Sequence, residues 1–213
     1  MIYSIKSPET LKITDSDGRV YFGAQQDWYA DEWQRRAGCG PTTASHILWY
    51  LSRTREGVAA LAPYDGGTKE GFLALMEGIW NYVTPGSRGL NHPDMMKKGV
   101  AEYSAKIGVP LTCRAILIPA FQDIGDLKDE VYAFLRDALS ADQPVAFLNL
   151  SNGKLENLHN WHWVTLVSFD DDRKTAVMYD DGAATEIDME LWLDTTLLGG
   201  GLVAVEARAM QKS

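Results

Sequence analysis

Cysteine is scarce in this chain of 213 residues. Cys39 and Cys113 are its only two, which is too few for a disulfide framework and gives no CxxC metal or redox motif. No stretch approaches the roughly 20 apolar residues of a membrane helix. The opening residues, MIYSIKSPETLKI, lack the basic start and apolar run of a secretory signal. Together these absences point to a soluble protein of the reducing cytoplasm, with no membrane partner. Positive charge is also short, with 20 Lys and Arg against 29 Asp and Glu and a net charge of -9. That balance argues against a nucleic-acid or anionic-membrane surface. There is no internal repeat, no low-complexity linker and no HxxxH among the four histidines. Cys39, His159, His162 and Asp180 do not have the spacing of a ligand set, so no metal and no cofactor is expected. What remains is an ordinary globular composition, 46% hydrophobic and 23% charged, long enough to bury a proper core in one domain spanning residues 1–213.

The pattern along the chain is helices first and strands second. A turn signal at Asp15-Ser16-Asp17-Gly18 lies between short apolar runs. Ala44, Ile47, Leu48 and Leu51 recur at helical spacing and predict a helix over 41–53. Pro41 suits the first helical position, where its missing N–H is not needed. Helices are predicted over about 69–81, 93–107 (introduced by His92-Pro93-Asp94 and stopped by Gly108) and 126–140. Strand-like runs occupy 110–118, 144–150, 162–169, 175–181 and 201–207. This order is α+β, a helical part over about 30–110 and a sheet part over about 110–213, and not the alternation of a parallel βαβ sheet.

Chemistry concentrates at RRAGCGPTTASHIL, residues 35–48. Cys39 sits at the start of the predicted helix, whose unpaired N–H groups and positive dipole end favour a thiolate. Gly38 and Gly40 leave the backbone bare for a substrate carbonyl, and Arg35 and Arg36 add positive charge. On this stretch alone, a buried cysteine closing a glycine turn is the more common reading. Cys113, inside an apolar strand, reads as core.

A cysteine nucleophile needs a base within hydrogen-bond reach. His46 is seven residues further along the helix, about 10 Å at 1.5 Å per residue, and is too far. His92 precedes a proline as a cap, and His159 lies in the polar loop KLENLHN. His162 opens the strand HWVTLVSF. A hairpin centred on Asp172 sets Asp180 opposite Val164 and makes it the diagonal neighbour of His162. A slip of one residue would bring Asp181 there instead. A carboxylate at this place fixes the imidazole tautomer and stabilises the imidazolium.

The stretches GCGPTTASHIL and HWVTLVSFDDDRKTAVMYDDG resemble the papain-like cysteine peptidases, and most nearly their bacteriocin-leader-peptidase-like bacterial branch. LSADQPVAFLNL is similar to the strand that precedes the histidine in that branch. The resemblance covers about half the chain. It implies a papain-like α+β fold and a catalytic set of Cys39, His162 and Asp180. Asp181 stands where members often have proline, which leaves Asp180 and Asp181 both open. Such enzymes use a side-chain amide for the oxyanion beside the backbone N–H of the cysteine, for which Gln26 and Gln34 are the candidates.

The function these features suggest is hydrolysis of a peptide or amide bond through a Cys39 acyl-enzyme. An acyltransferase or non-peptide amidase would use the same residues. A papain fold retained as an inactive binding module is the reading of a different class, with Trp28, Trp33, Trp49, Trp161 and Trp163 as ligand surface. The substrate's side chains and the oligomeric state leave no mark in the sequence.

Overall fold

The computed structural model describes residues 1–121 and 125–207. Three short strands open the chain, β1 (Ile2–Ser4), β2 (Lys12–Thr14) and β3 (Val20–Phe22), the last two forming a hairpin over the Asp15–Gly18 turn. Four helices follow, α1 (Glu32–Ala37), α2 (Cys39–Thr54), α3 (Lys69–Trp80) and α4 (Pro93–Ile107). The sheet part comprises β4 (Leu111–Ile118), α5 (Gly125–Ser140), β5 (Val145–Asn149), β6 (His162–Asp170), β7 (Thr175–Asp180), β8 (Ala183–Asp188), α6 (Met189–Thr195) and β9 (Gly200–Ala207).

The strands form an antiparallel seven-stranded sheet in the order β4-β9-β5-β6-β7-β8, with β1 also paired to β6. On one side of β6, β5 pairs with residues 162–166 and β1 takes over at 168–170. Strand β6 is therefore hydrogen-bonded along its length on that side, and its first residue is rigidly held.

Helix α2 starts two residues earlier than the pattern predicts. Cys39 is its first residue and Pro41 its third, a position whose N–H also lacks an intrahelical partner. From Gly40 to Ser52 every residue of α2 is buried, because β6, α3 and α4 all pack around it. Such a helix draws its stability from packing on every side; a face-specific pattern is not required of it. His92 caps α4 by accepting from the Asp94 N–H at 3.1 Å, and Gly108 ends that helix in the left-handed conformation, both as the sequence predicts. One contiguous core runs from Ile5 to Val205.

Candidate active site

The α1–α2 junction sets Cys39. Asp31 caps α1, its carboxylate accepting from the N–H groups of Trp33 and Gln34 at 2.8 and 3.1 Å. Gly38 then links the two helices. A Cβ on Gly38 would lie 2.4 Å from the Gln34 carbonyl and 2.6 Å from the Tyr29 ring, and one on Gly40 would lie 2.6 Å from Leu90. These glycines do not bare the backbone to a substrate, as the sequence suggests. They let Tyr29 and Leu90 close against the helix start. Arg35 is also turned away from chemistry, donating to the Tyr29 carbonyl at 3.0 Å. Arg36 borders the cleft and pairs with Glu32 at 3.6 Å.

His162 is the first residue of β6, and Asp180 is the last of β7. The His162 Nε2 and Asp180 Oδ1 are 2.7 Å apart, both side chains largely buried. With Nε2 so engaged, Nδ1 is the nitrogen left for the Cys39 sulfur, which lies within interacting range of the ring. Burial works against a charged imidazole here. The Asp180 hydrogen bond and the Cys39 sulfur outweigh it and push His162 up to about 10.

A β-bulge decides between the two aspartates. Near the loop, Asp170 pairs with Thr175 and Ser168 with Val177. Beyond Val167, Leu166 pairs with Met178 and Thr165 with Tyr179. Carried through without the extra residue, the loop-side register would set Asp181 opposite Val164. The bulge shifts the pairing by one and brings Asp180 there. Asp181 instead takes a left-handed backbone (φ 46°) and faces the exposed His159, 3.9 Å away. Burial and the neighbouring Asp180 raise the pKa of the Asp181 carboxyl.

The two glutamines separate clearly. Gln26 lines the space next to Cys39 and His162. Its Nε2 donates to the Arg35 carbonyl at 2.6 Å, while its buried Oε1 has no hydrogen-bond partner among the described residues. Gln34 borders neither space around Cys39 and donates to Glu77 at 3.0 Å.

A cleft of about 250 Å³ opens beside Cys39, bordered by Gln26, His159, Trp161, His162 and Asp181. Trp161 is held at its rim by donating to the Arg88 carbonyl at 2.9 Å, so the 84–92 loop shapes the cleft. The tryptophans do not form one ligand surface. Trp49 and Trp163 are buried, whereas Trp33 and Trp161 are exposed.

His46 shares the internal space with Cys39 but is bound to other partners, the Ala24 N–H and Thr165 Oγ1. The sequence gives no sign of these contacts, because they depend on which loop and strand pack on α2. Cys113 is partly buried against the core, and burial pushes its thiol up to about 11.

No family model matches the chain, and no curated protein matches it. Among solved structures, UfSP from C. elegans superposes with a TM-score of 0.51 at 11% identity, over 99% of this chain and 35% of that one. The chain thus spans about a third of the length of UfSP. The Pseudomonas avirulence protein AvrPphB gives a TM-score of 0.42 at 8% identity, over 84% of this chain and 98% of that one. The fold is papain-like and α+β. Among the described residues, no helix is long and apolar enough to cross a membrane.

Proposed function

We propose that the chain is a cysteine peptidase-like hydrolase that cleaves an amide bond through Cys39, with a peptide as substrate as the resemblance to the leader-peptidase-like branch implies. The observation that carries this reading is the His162 ring, hydrogen-bonded through Nε2 to Asp180 at 2.7 Å and lining one internal space with Cys39, the first residue of a buried helix.

The Cys39 thiolate attacks the carbonyl carbon, and the carbonyl electron pair moves onto oxygen. In this reading the oxyanion accepts from the first-turn N–H of Cys39, unpaired within its helix, and from the Gln26 amide, which lines the same space as Cys39. An amide nitrogen carries two protons. One is held by the Arg35 carbonyl, which orients the amide, and the other is the one this reading assigns to the oxyanion. As the tetrahedral intermediate collapses, the C–N bond breaks and His162 gives its proton to the departing amine. Water, deprotonated by His162, then attacks the thioester, and the C–S bond breaks to return the thiolate. Asp180 keeps the ring oriented and its charge stabilised throughout.

Iodoacetamide labelling near neutral pH tests the nucleophile. Cys39 should be alkylated at least tenfold faster than Cys113, and Cys39→Ala should remove the fast phase. Equal rates at the two cysteines would end this reading.

A further inference from the structure

His46 joins the three segments that bear the proposed catalytic groups. It lies on α2 with Cys39. Its Nδ1 is 2.8 Å from Thr165 Oγ1 on β6, three residues from His162. Its Nε2 is 2.7 Å from the backbone nitrogen of Ala24, two residues before Gln26. The side chain is 2% exposed. The Ala24 N–H can only donate, so Nε2 must accept and Nδ1 must carry the proton given to Thr165. An imidazolium would set two donors against each other, which agrees with burial pushing His46 down to about 4.

The contact is close as well as polar. Gly23 has φ +79°, and a Cβ there would lie 2.9 Å from both Cε1 and Nε2 of His46. The backbone at residues 23–24 is pressed against the ring, although it belongs to no helix or strand. On the far side, the Gln25 side-chain amide donates to the Asp181 carbonyl at 2.5 Å. The run from Gly23 to Gln26 is thereby fixed between α2, β6 and the end of β7.

We propose that His46 is a positioning residue for acyl transfer, its neutral ring holding Ala24 so that the Gln26 amide stands beside Cys39. The proposal rests on the reading of Cys39 as nucleophile and Gln26 as oxyanion donor. Donors that stabilise an oxyanion act only where a carbonyl is attacked. Alkylation by iodoacetamide displaces iodide at a saturated carbon and forms no oxyanion.

The two probes therefore separate positioning from general damage. With p-nitrophenyl acetate, His46→Leu should slow acylation tenfold or more while iodoacetamide alkylation stays within twofold of the parent. The double variant His46→Leu/Gln26→Ala should be no slower than Gln26→Ala alone, because both remove the same stabilisation. His46→Gln, whose amide oxygen can accept the Ala24 N–H, should recover much of the rate. Amide exchange at Ala24 should accelerate in His46→Leu and less in His46→Gln. If His46→Leu does not fold, Thr165→Val, which unties Nδ1, should give the same pattern in milder form. Multiplying effects in the double variant, alkylation that falls with acylation, or unchanged exchange at Ala24 would each overturn the proposal. If Gln26→Ala leaves acylation unchanged, the donor reading fails and this proposal falls with it. If Gln26→Ala slows acylation and His46→Leu does not, only this proposal falls.

Discussion

At the scale of single residues, the adjacent aspartates Asp180 and Asp181 hold unlike positions, one bonded to His162 and the other at a half-exposed turn. Asp180→Asn should slow ester acylation at least tenfold, since it removes the charge opposite the imidazolium. Asp181→Asn should change the rate little. The pH dependence follows from the same contact. His162 is pushed up to about 10, so cleavage of an amide substrate, which needs the His162 proton for the departing amine, should persist far above neutrality. In Asp180→Asn that alkaline limit should move to lower pH, because one of the two groups that raise the pKa has lost its charge. A limit that does not move would show that Asp180 does not support the imidazolium.

Elements were legible in the sequence in proportion to how strongly their own residues mark them. The helical spacing of α3, α4 and α5 and the apolar runs of β4 to β7 and β9 place these elements to within a few residues. Strands β1 and β8 and helices α1 and α6 carry too little pattern of their own. β1 has three residues and is a strand only because β6 offers an edge beyond the end of β5. Cys39 and His162 stand out at a helix start and a strand start, but Asp180 could not be separated from Asp181 in the sequence, because the difference lies in the bulge between β6 and β7. Gln26 could not be separated from Gln34 because the difference lies in tertiary contacts, one facing Cys39 and the other Glu77. The α1 cap is a local feature with a local test. Asp31→Ala leaves two first-turn N–H groups without their acceptor and should cost about 1 kcal/mol, measurable by denaturant unfolding. Its effect on alkylation should be small if α2 is held mainly by its packing.

Across the whole molecule, a buried ionic cluster joins the N-terminal segment to the end of α2 and the turn after α5. Asp142, 6% exposed, accepts from the Lys6 N–H at 2.7 Å, from the Tyr50 hydroxyl and from Arg55 at 2.7 Å. Burial alone would raise its carboxyl, but these donors prevail and hold it below the ordinary range. Asp142→Ala strands a partly buried guanidinium and a buried hydroxyl and should destabilise by about 3 kcal/mol without altering the relative alkylation of Cys39. Two histidines bound the pH range of stability from opposite sides. His46, lowered from 6.5 to about 4, contributes stability that is complete above 6.5 and is lost as pH falls through 4. The differential binding of the proton amounts to about 3 kcal/mol. His162, raised from 6.5 to about 10, contributes stability that is complete below 6.5 and is lost as pH rises through 10. Thermal melts of His46→Gln should therefore show a shallower loss between pH 6.5 and 4 than the parent.

The bulge at Val167 also makes the hairpin unusually sensitive to insertions and deletions, and unequally so between its strands. Deleting Val167 would remove the residue that has no partner on β7 and leave the β6–β7 partners, including the Leu166–Met178 pair, in place, at the loss of the Ile5 N–H bond to the Val167 carbonyl on the other side. Deleting one residue between Val177 and Tyr179 would instead draw the following residues back by one and bring Asp181 opposite Val164. Asp181 would then take the position of Asp180, and Asp180 that of Tyr179 opposite Thr165, so that a one-residue deletion in β7 still delivers an aspartate toward His162.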